Sequence, residues 1–157
     1  MTTNLVAVGG TTSLASTMQF TAIPTAVAVK PDSAYALLEL AYKRLDIPIG
    51  RFDAATRSVT NEALKVRRRI GGLAMQAVVD CGEKLGVANA ETWDIDMNVL
   101  SFVVDDGRGG SRVSTRIQAL GHDPIVAGRD YSPCSTKGAL EAKIGNTVKL
   151  LTVPAKK

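Results

Sequence analysis

Aromatic residues are scarce in this chain of 157 residues, which holds one tryptophan, three tyrosines and three phenylalanines. That scarcity argues against a nucleic-acid module in which stacking rings alternate with basic side chains. There is one histidine, His122, and there are two cysteines, Cys81 and Cys134, with no C-x-x-C pair and no C-x-x-C-H haem attachment site. Too few soft ligands remain for a tetrahedral zinc site, so no metal and no cofactor is expected. The phosphate-cradling patterns G-x-x-x-x-G-K-[ST] and G-x-G-x-x-G are missing. No run approaches the roughly 20 apolar residues of a membrane-spanning helix. The opening MTTNLVAVGGTTSLASTMQF has neither the basic n-region nor the continuous apolar h-region of an export signal.

What remains is the composition of an ordinary globular chain, 45% hydrophobic and 22% charged, of a length that fits one domain with a substantial core. Lysine and arginine exceed the acids by 19 to 15, giving a formal charge of +4, which permits anionic or acidic partners without demanding them.

Residues 1–16 are rich in Thr, Ser and Gly, read as an extended N-terminal arm, and are expected to order on a partner; residues 17–157 form a single α+β domain. From Thr17 to Val29 β-branched residues alternate with alanines as in a strand, and Pro24 puts that strand at an edge or bulge. Pro31 and Asp32 start a helix whose face is Ala34, Leu37, Leu38, Ala41, Tyr42 and Leu45, limited by Pro48. Strands near Ile49 to Phe52 and from about Arg57 follow, then a short helix from about Leu73 to Val79. A last helix from about Thr136 buries Leu140, Ile144, Val148 and Leu151, with Lys137 and Glu141 spaced for an i,i+4 pair and Gly145 weakening its middle. This order predicts an antiparallel β-sheet with two longer helices and one short helix packed on one face.

The segment TWDIDMNVLSFVVDDGRGGSRVSTRIQALG alternates on both sides of a glycine-rich turn and predicts a hairpin. Trp93, Ile95 and Met97 share a face, whereas Phe102 and Val104 have the other parity, so a β-bulge is expected at Val99 and Leu100. A tight Gly107-Arg108 turn then sets Phe102 against Val113, Met97 against Ile117 and Ile95 against Ala119. The outward set is Asp94, Asp96, Asn98, Arg112, Arg116 and Gln118, a polar sheet face that meets solvent or a hydrophilic partner.

Three motifs invite chemistry. RRRIGGLAMQAVVDCG could present backbone N–H groups to an anion, and Lys65, Arg67, Arg68 and Arg69 form a basic cluster able to touch phosphates, but a turn and a solvated strand account for both. Cys81 could be a nucleophile served by His122 with Asp80 or Asp123; availability is the whole of that argument, and a loop histidine in GHDP needs no catalytic role. Asp94 and Asp96 could do acid and base work, yet any half-exposed strand places carboxylates at alternate positions. No catalytic residues are therefore expected. The two cysteines fit one disulfide or two buried thiols; a bridge would mean work outside a reducing cytosol.

The segment DSAYALLELAYKRLDIPIGRFDAATRSVTN resembles the helix-then-strand opening of small envelope lipoprotein domains of the helix-grip type. RRRIGG, DCG and CSTKGALE together resemble a family of small exported bacterial domains. The resemblance implies a bond between Cys81 and Cys134, a periplasmic place, and a non-enzymatic accessory role bracing the subunits of a larger membrane-bound complex, such as a photosynthetic reaction-centre and light-harvesting complex. This chain departs from the family in lacking a cleavable signal or lipid-bearing cysteine near its start. The alternative is an anion- or nucleic-acid-binding domain that uses the Lys65 to Arg69 cluster.

Overall fold

A computed structural model describes residues 24–125 and 131–152. The proposed arm and most of the proposed first strand lie outside those residues. The described chain is α+β: a seven-stranded antiparallel sheet carries two long helices on one face.

Helix α1 (Pro31–Arg44) begins on a proline, whose fixed φ and missing N–H suit a first helical position. It stops where Asp46 takes φ 58°, the Ile47 N–H reaching Tyr42 O at 2.9 Å and the Asp46 N–H reaching Lys43 O at 3.1 Å. That is a Schellman stop with aspartate in the glycine place, and Pro48 follows it. The expected stripe is buried at Ala34, Leu38, Ala41, Tyr42 and Leu45.

Strands β1 (Thr25–Val27), β2 (Arg51–Asp53), β3 (Ser58–Arg67), β9 (Asp94–Asp105), β10 (Ser111–His122), β11 (Ser132–Thr136) and β6 (Val79–Asp80) make the main sheet. Its order is β2-β3-β9-β10-β11-β6, and β1 shares the outer edge of β10 with β11. Two small hairpins, β4 (Arg69–Ile70) with β5 (Leu73–Ala74) and β7 (Glu83–Lys84) with β8 (Val87–Ala88), sit apart from it. The short helix α2 (Met75–Val78) joins β5 to β6, and its buried Met75 and Val78 reach the core. Helix α3 (Ala139–Leu151) buries Leu140, Ile144 and Val148.

The hairpin corrects the expected register. Every residue of β9 from Asp94 to Asp105 pairs in unbroken sequence with β10, so Phe102 faces Ser114, Met97 faces Ala119 and Ile95 faces Gly121. No bulge occurs at Val99 and Leu100. The connection is five residues long, and Asp106 closes it by accepting the N–H groups of Arg108 at 2.7 Å and Gly110 at 3.0 Å. Strict alternation survives because Ser101, not Phe102, enters the core. Its hydroxyl meets Tyr42 Oη at 2.7 Å and Thr115 Oγ1 at 2.7 Å, so the buried polar groups satisfy one another. Burial pushes the Tyr42 hydroxyl up to about 12, opposed by the Ser101 hydrogen bond. The irregularity falls instead on β3, between Asn61 and Leu64.

Two further expectations change. Lys137 lies before α3 and donates to Gln76 O at 2.6 Å, so it forms no helical pair with Glu141. Glu141 is buried, its Oε2 accepting from Thr136 Oγ1 at 2.6 Å and its Oε1 having no partner among the described residues; burial pushes its carboxyl above the ordinary glutamate value. Gly145, read as a weakness, is where α3 crosses closest to β1, for a Cβ there would run into the Thr25 side chain. Helix propensity yields to packing at that position.

Candidate interaction surface

Alternation along β9 and β10 sends Asp94, Asp96, Asn98, Arg112, Arg116 and Gln118 to the face opposite the helices, with Leu100, Phe102, Val104 and Leu120 between them. No described helix covers this outer face. Cross-strand rows run Arg51, Thr60, Leu100, Arg116 and, beside it, Asp53, Ser58, Phe102, Ser114. The Arg116 guanidinium lies 5.4 Å from the centre of the Phe102 ring, a cation–π contact. The face is thus mixed, not purely polar: Val104 is 43% exposed and Leu120 45%. Parity and apolar character predict Phe102 and Val104 inward; they point outward, and Ser101, bonded to Tyr42 and Thr115, takes the inward place.

The basic cluster and the polar face meet on adjacent strands. Lys65 opposes Asp96 with Nζ and Oδ1 3.3 Å apart, and Arg67 opposes Asp94 with Nε and Oδ1 3.5 Å apart. Two of the four cations are therefore balanced by two of the predicted aspartates. Arg68 stands exposed with φ 70° at the step from β3 to β4, and Arg69 donates to Gly72 O at 2.9 Å. Gly71 and Gly72, with φ of 62° and 83°, form the two-residue turn of the β4–β5 hairpin. The double glycine is a hairpin corner and opens no long helix, so the cradle reading fails on geometry.

Cys81 and Cys134 are joined, with S–S 2.02 Å and a sequence separation of 53. The nucleophile reading of Cys81 is overturned, since no thiol is left to activate. His122 pairs in register with Asp94 and stacks on Tyr131, ring centres 4.8 Å apart. The bridge ties β11 to the chain leaving β6, and Gly121 makes room for it. A Cβ at Gly121 would stand 2.8 Å from Trp93 Cε3, 2.9 Å from Cys134 Sγ and 3.2 Å from Cys81 Sγ. Asp80 Oδ1 accepts the Gly82 N–H at 2.8 Å, and Asn89 Nδ2 donates to Cys81 O at 3.0 Å, so the base of the β7–β8 hairpin is held firmly. Among the described residues no group of three or more His, Cys, Asp or Glu could hold a metal, and no helix is long and apolar enough to cross a membrane.

Two features escaped the sequence reading. Ser101 becomes inward only once the turn length fixes the register, whereas Thr115 lies inward with Val113, Ile117 and Ala119 as alternation along that strand predicts. The β7–β8 hairpin is betrayed by Leu85-Gly86 alone, a weaker turn signal than Asn-Gly. In comparisons with known proteins, no family model, no curated protein and no solved structure matches the chain.

Proposed function

We propose that this protein is a non-enzymatic binding module that braces a larger membrane-bound assembly from an oxidising, extracytoplasmic side. The observation that carries the reading is the uncovered outer face, where Leu100 and Val104 lie opposite Arg116 and Arg112 and the Arg116 guanidinium covers the Phe102 ring. Apolar side chains rimmed by polar ones on an open sheet suit a protein contact. The Cys81–Cys134 bridge is compatible with an oxidising compartment. The narrower role, an accessory subunit of a photosynthetic reaction-centre and light-harvesting complex, rests on the quoted motifs alone.

The test is co-purification after detergent extraction of native membranes, with mass spectrometry of what travels with the chain. A membrane complex should accompany the wild type and be lost with Phe102→Asp. A chain that purifies alone, or a Phe102→Asp variant that retains the complex, overturns the reading. The nucleic-acid alternative predicts DNA binding that falls steeply with salt; the pairing of Lys65 and Arg67 to aspartates weighs against it. Asp94→Asn and Asp96→Asn variants should leave partner binding intact.

A further inference from the structure

Strand β10 changes neighbours along one of its edges. On the other edge it pairs with β9 throughout, and at the turn the Asp106 N–H reaches Gly110 O at 3.1 Å, the contact of a hydrogen-bonded pair. Such pairs recur at every second residue of an antiparallel ladder, so Arg112, Ser114, Arg116 and Gln118 turn their main-chain groups to β9. The odd-numbered residues of β10 turn theirs to the opposite edge. There Ser111 and Val113 face Val27 and Thr25 of β1, while Ala119 and Gly121 face Cys134 and Ser132 of β11. Thr115 and Ile117, between them, face no strand among the described residues, because beyond Cys134 strand β11 turns to pair with β6 through Ser135 and Thr136. Two N–H and two C=O groups are thus left at this edge. Both residues are only 3% exposed, and helix α3 packs on β10 and β1, so water has little access to them. Buried main-chain groups of this kind need a partner.

We propose that Thr115 and Ile117 form a strand-acceptor site, and that its occupant is the segment of this chain before Pro24, residues 20–23, which lies outside the described residues. Three observations choose this occupant. Strand β1 runs antiparallel to β10 from Thr25 opposite Val113, so the chain before it, continued in the same register, brings Ile23 opposite Thr115 and Thr21 opposite Ile117. Pro24 then stands opposite Ser114, where the nitrogen faces away from β10, and its missing N–H costs the ladder nothing. Alternation puts Thr21, Ile23, Thr25 and Val27 on the helix side, each of them β-branched, with Ala22, Pro24 and Ala26 on the outer side. Cys134 opposite Ala119 sets the limit, for the segment has to leave the edge before Gln19. A strand from another chain meets the same donors and acceptors, and an open edge invites such pairing. Filling the site from within the chain therefore guards it. The site lies on an edge of the sheet and does not depend on the outer-face role proposed above.

The experiment is amide hydrogen exchange, resolved by residue, on the intact, oxidised chain. In the wild type the amides of Thr115 and Ile117 should be protected as those of Val113 and Ala119 are. Thr21→Pro and Ile23→Pro each remove a donor that faces β10, and should speed exchange at Ile117 and Thr115 about tenfold, the worth of one ladder hydrogen bond. Ala22→Pro, whose nitrogen faces away as that of Pro24 does, should leave both amides protected. Protection at Val99 and Val103, which turn their main-chain groups to β3, checks that each variant is folded. The proposal fails if Thr115 and Ile117 exchange freely in the wild type, or if all three proline variants behave alike. It fails equally if protection at these two amides falls when the protein is diluted, since a second copy then fills the site.

Discussion

The two ends of the sheet are held by different means. At the upper end, that of the β2–β3 and β9–β10 turns as against the lower end of Arg67, Asp94 and His122, each turn is closed by its own carboxylates: Asp106 accepts from Arg108 and Gly110, Asp105 Oδ1 accepts from Gly107 at 2.7 Å, and Asp53 Oδ1 accepts from Ala55 at 3.0 Å and Thr56 at 3.3 Å. Arg57 then ties that end to α1 through Asp32 at 2.8 Å. The lower end has the disulfide, Trp93 wedged over Gly121, and tips of leucine and isoleucine. Short carboxylates close turns at both ends, for Asp123 Oδ1 holds the Ile125 N–H at 3.0 Å, but the Leu85-Gly86 tip has no such side chain and depends on the brace at the base of its hairpin. The hairpin whose tip has no closing side chain of its own is the one that leaves the sheet beside the covalent link.

Removing that link should have the largest effect. The chain-entropy estimate for a loop of this length is about 4 kcal/mol, so the Cys81→Ser, Cys134→Ser double variant should lose about that much in denaturant unfolding. The loss should be uneven in amide exchange, with Gly82 and Asn89 opening locally while Arg108 and Gly110 follow global unfolding alone. Local opening of equal size at both ends would break the comparison.

Gly121→Ala comes next. Its Cβ would press on Trp93 and both sulfurs, and overpacking of this kind costs about 1–3 kcal/mol. In the variant without cysteines the sulfurs are gone and the cost should shrink, a coupling that a double-mutant cycle measures. An unchanged cost would assign the clash to Trp93 alone.

How far the sequence discloses all this differs by region for physical reasons. The helix from Pro31 and the long hairpin are legible because proline, a period of 3.6 and a period of two each act locally. The disulfide is legible as one of two options, since two cysteines permit one bond but cannot show their distance. The short strands β6, β7, β8 and β11 are not legible: each has two to five residues, and β11 contains Pro133, so pairing comes from the sheet and not from propensity. The outer face was half visible. Its six polar positions follow from parity, but the intervening Leu100, Phe102 and Val104 are concealed, because apolar character alone predicts them inward. Three hydroxyls, on Tyr42, Ser101 and Thr115, decide otherwise, and only the fold brings them together.

Proton linkage separates the ends in sign. Asp106, at the upper end, has its carboxyl held below the usual aspartate range chiefly by the backbone N–H groups of Arg108 and Gly110. Its contribution is present above the ordinary aspartate value and lost as pH falls through the folded value. Glu141, near the lower end, is pushed up by burial, so its contribution is present below the ordinary glutamate value and lost as pH rises through the folded one. Asp106→Asn should flatten the loss of stability toward acid. Glu141→Gln should remove a loss that sets in as pH rises, leaving the variant more stable at pH 7 by on the order of 1 kcal/mol, since a neutral amide is desolvated at lower cost than a carboxylate. Unfolding curves at pH 3, 5 and 7 check both slopes; slopes of the same sign for the two sites would remove this distinction between the ends.

The smallest effect belongs to the ladder of Lys65 with Asp96 and Arg67 with Asp94, which crosses the lower half of the outer face. The Lys65 side chain is 78% exposed and that of Asp96 36%. At such exposure water competes for both charges and an ion pair contributes about 0.2–1 kcal/mol. A cycle built on Lys65→Met and Asp96→Asn should therefore give a coupling of about 0.5 kcal/mol or less that fades in molar salt. The balance of charge makes this half of the face nearly neutral, so the variants should hardly alter partner retention in the detergent-extraction experiment. A coupling above about 1 kcal/mol that survives molar salt would mean that water is excluded from these side chains. The outer face would then be covered in solution, and the contrast between an open face and a braced end would need to be drawn again with that cover in place.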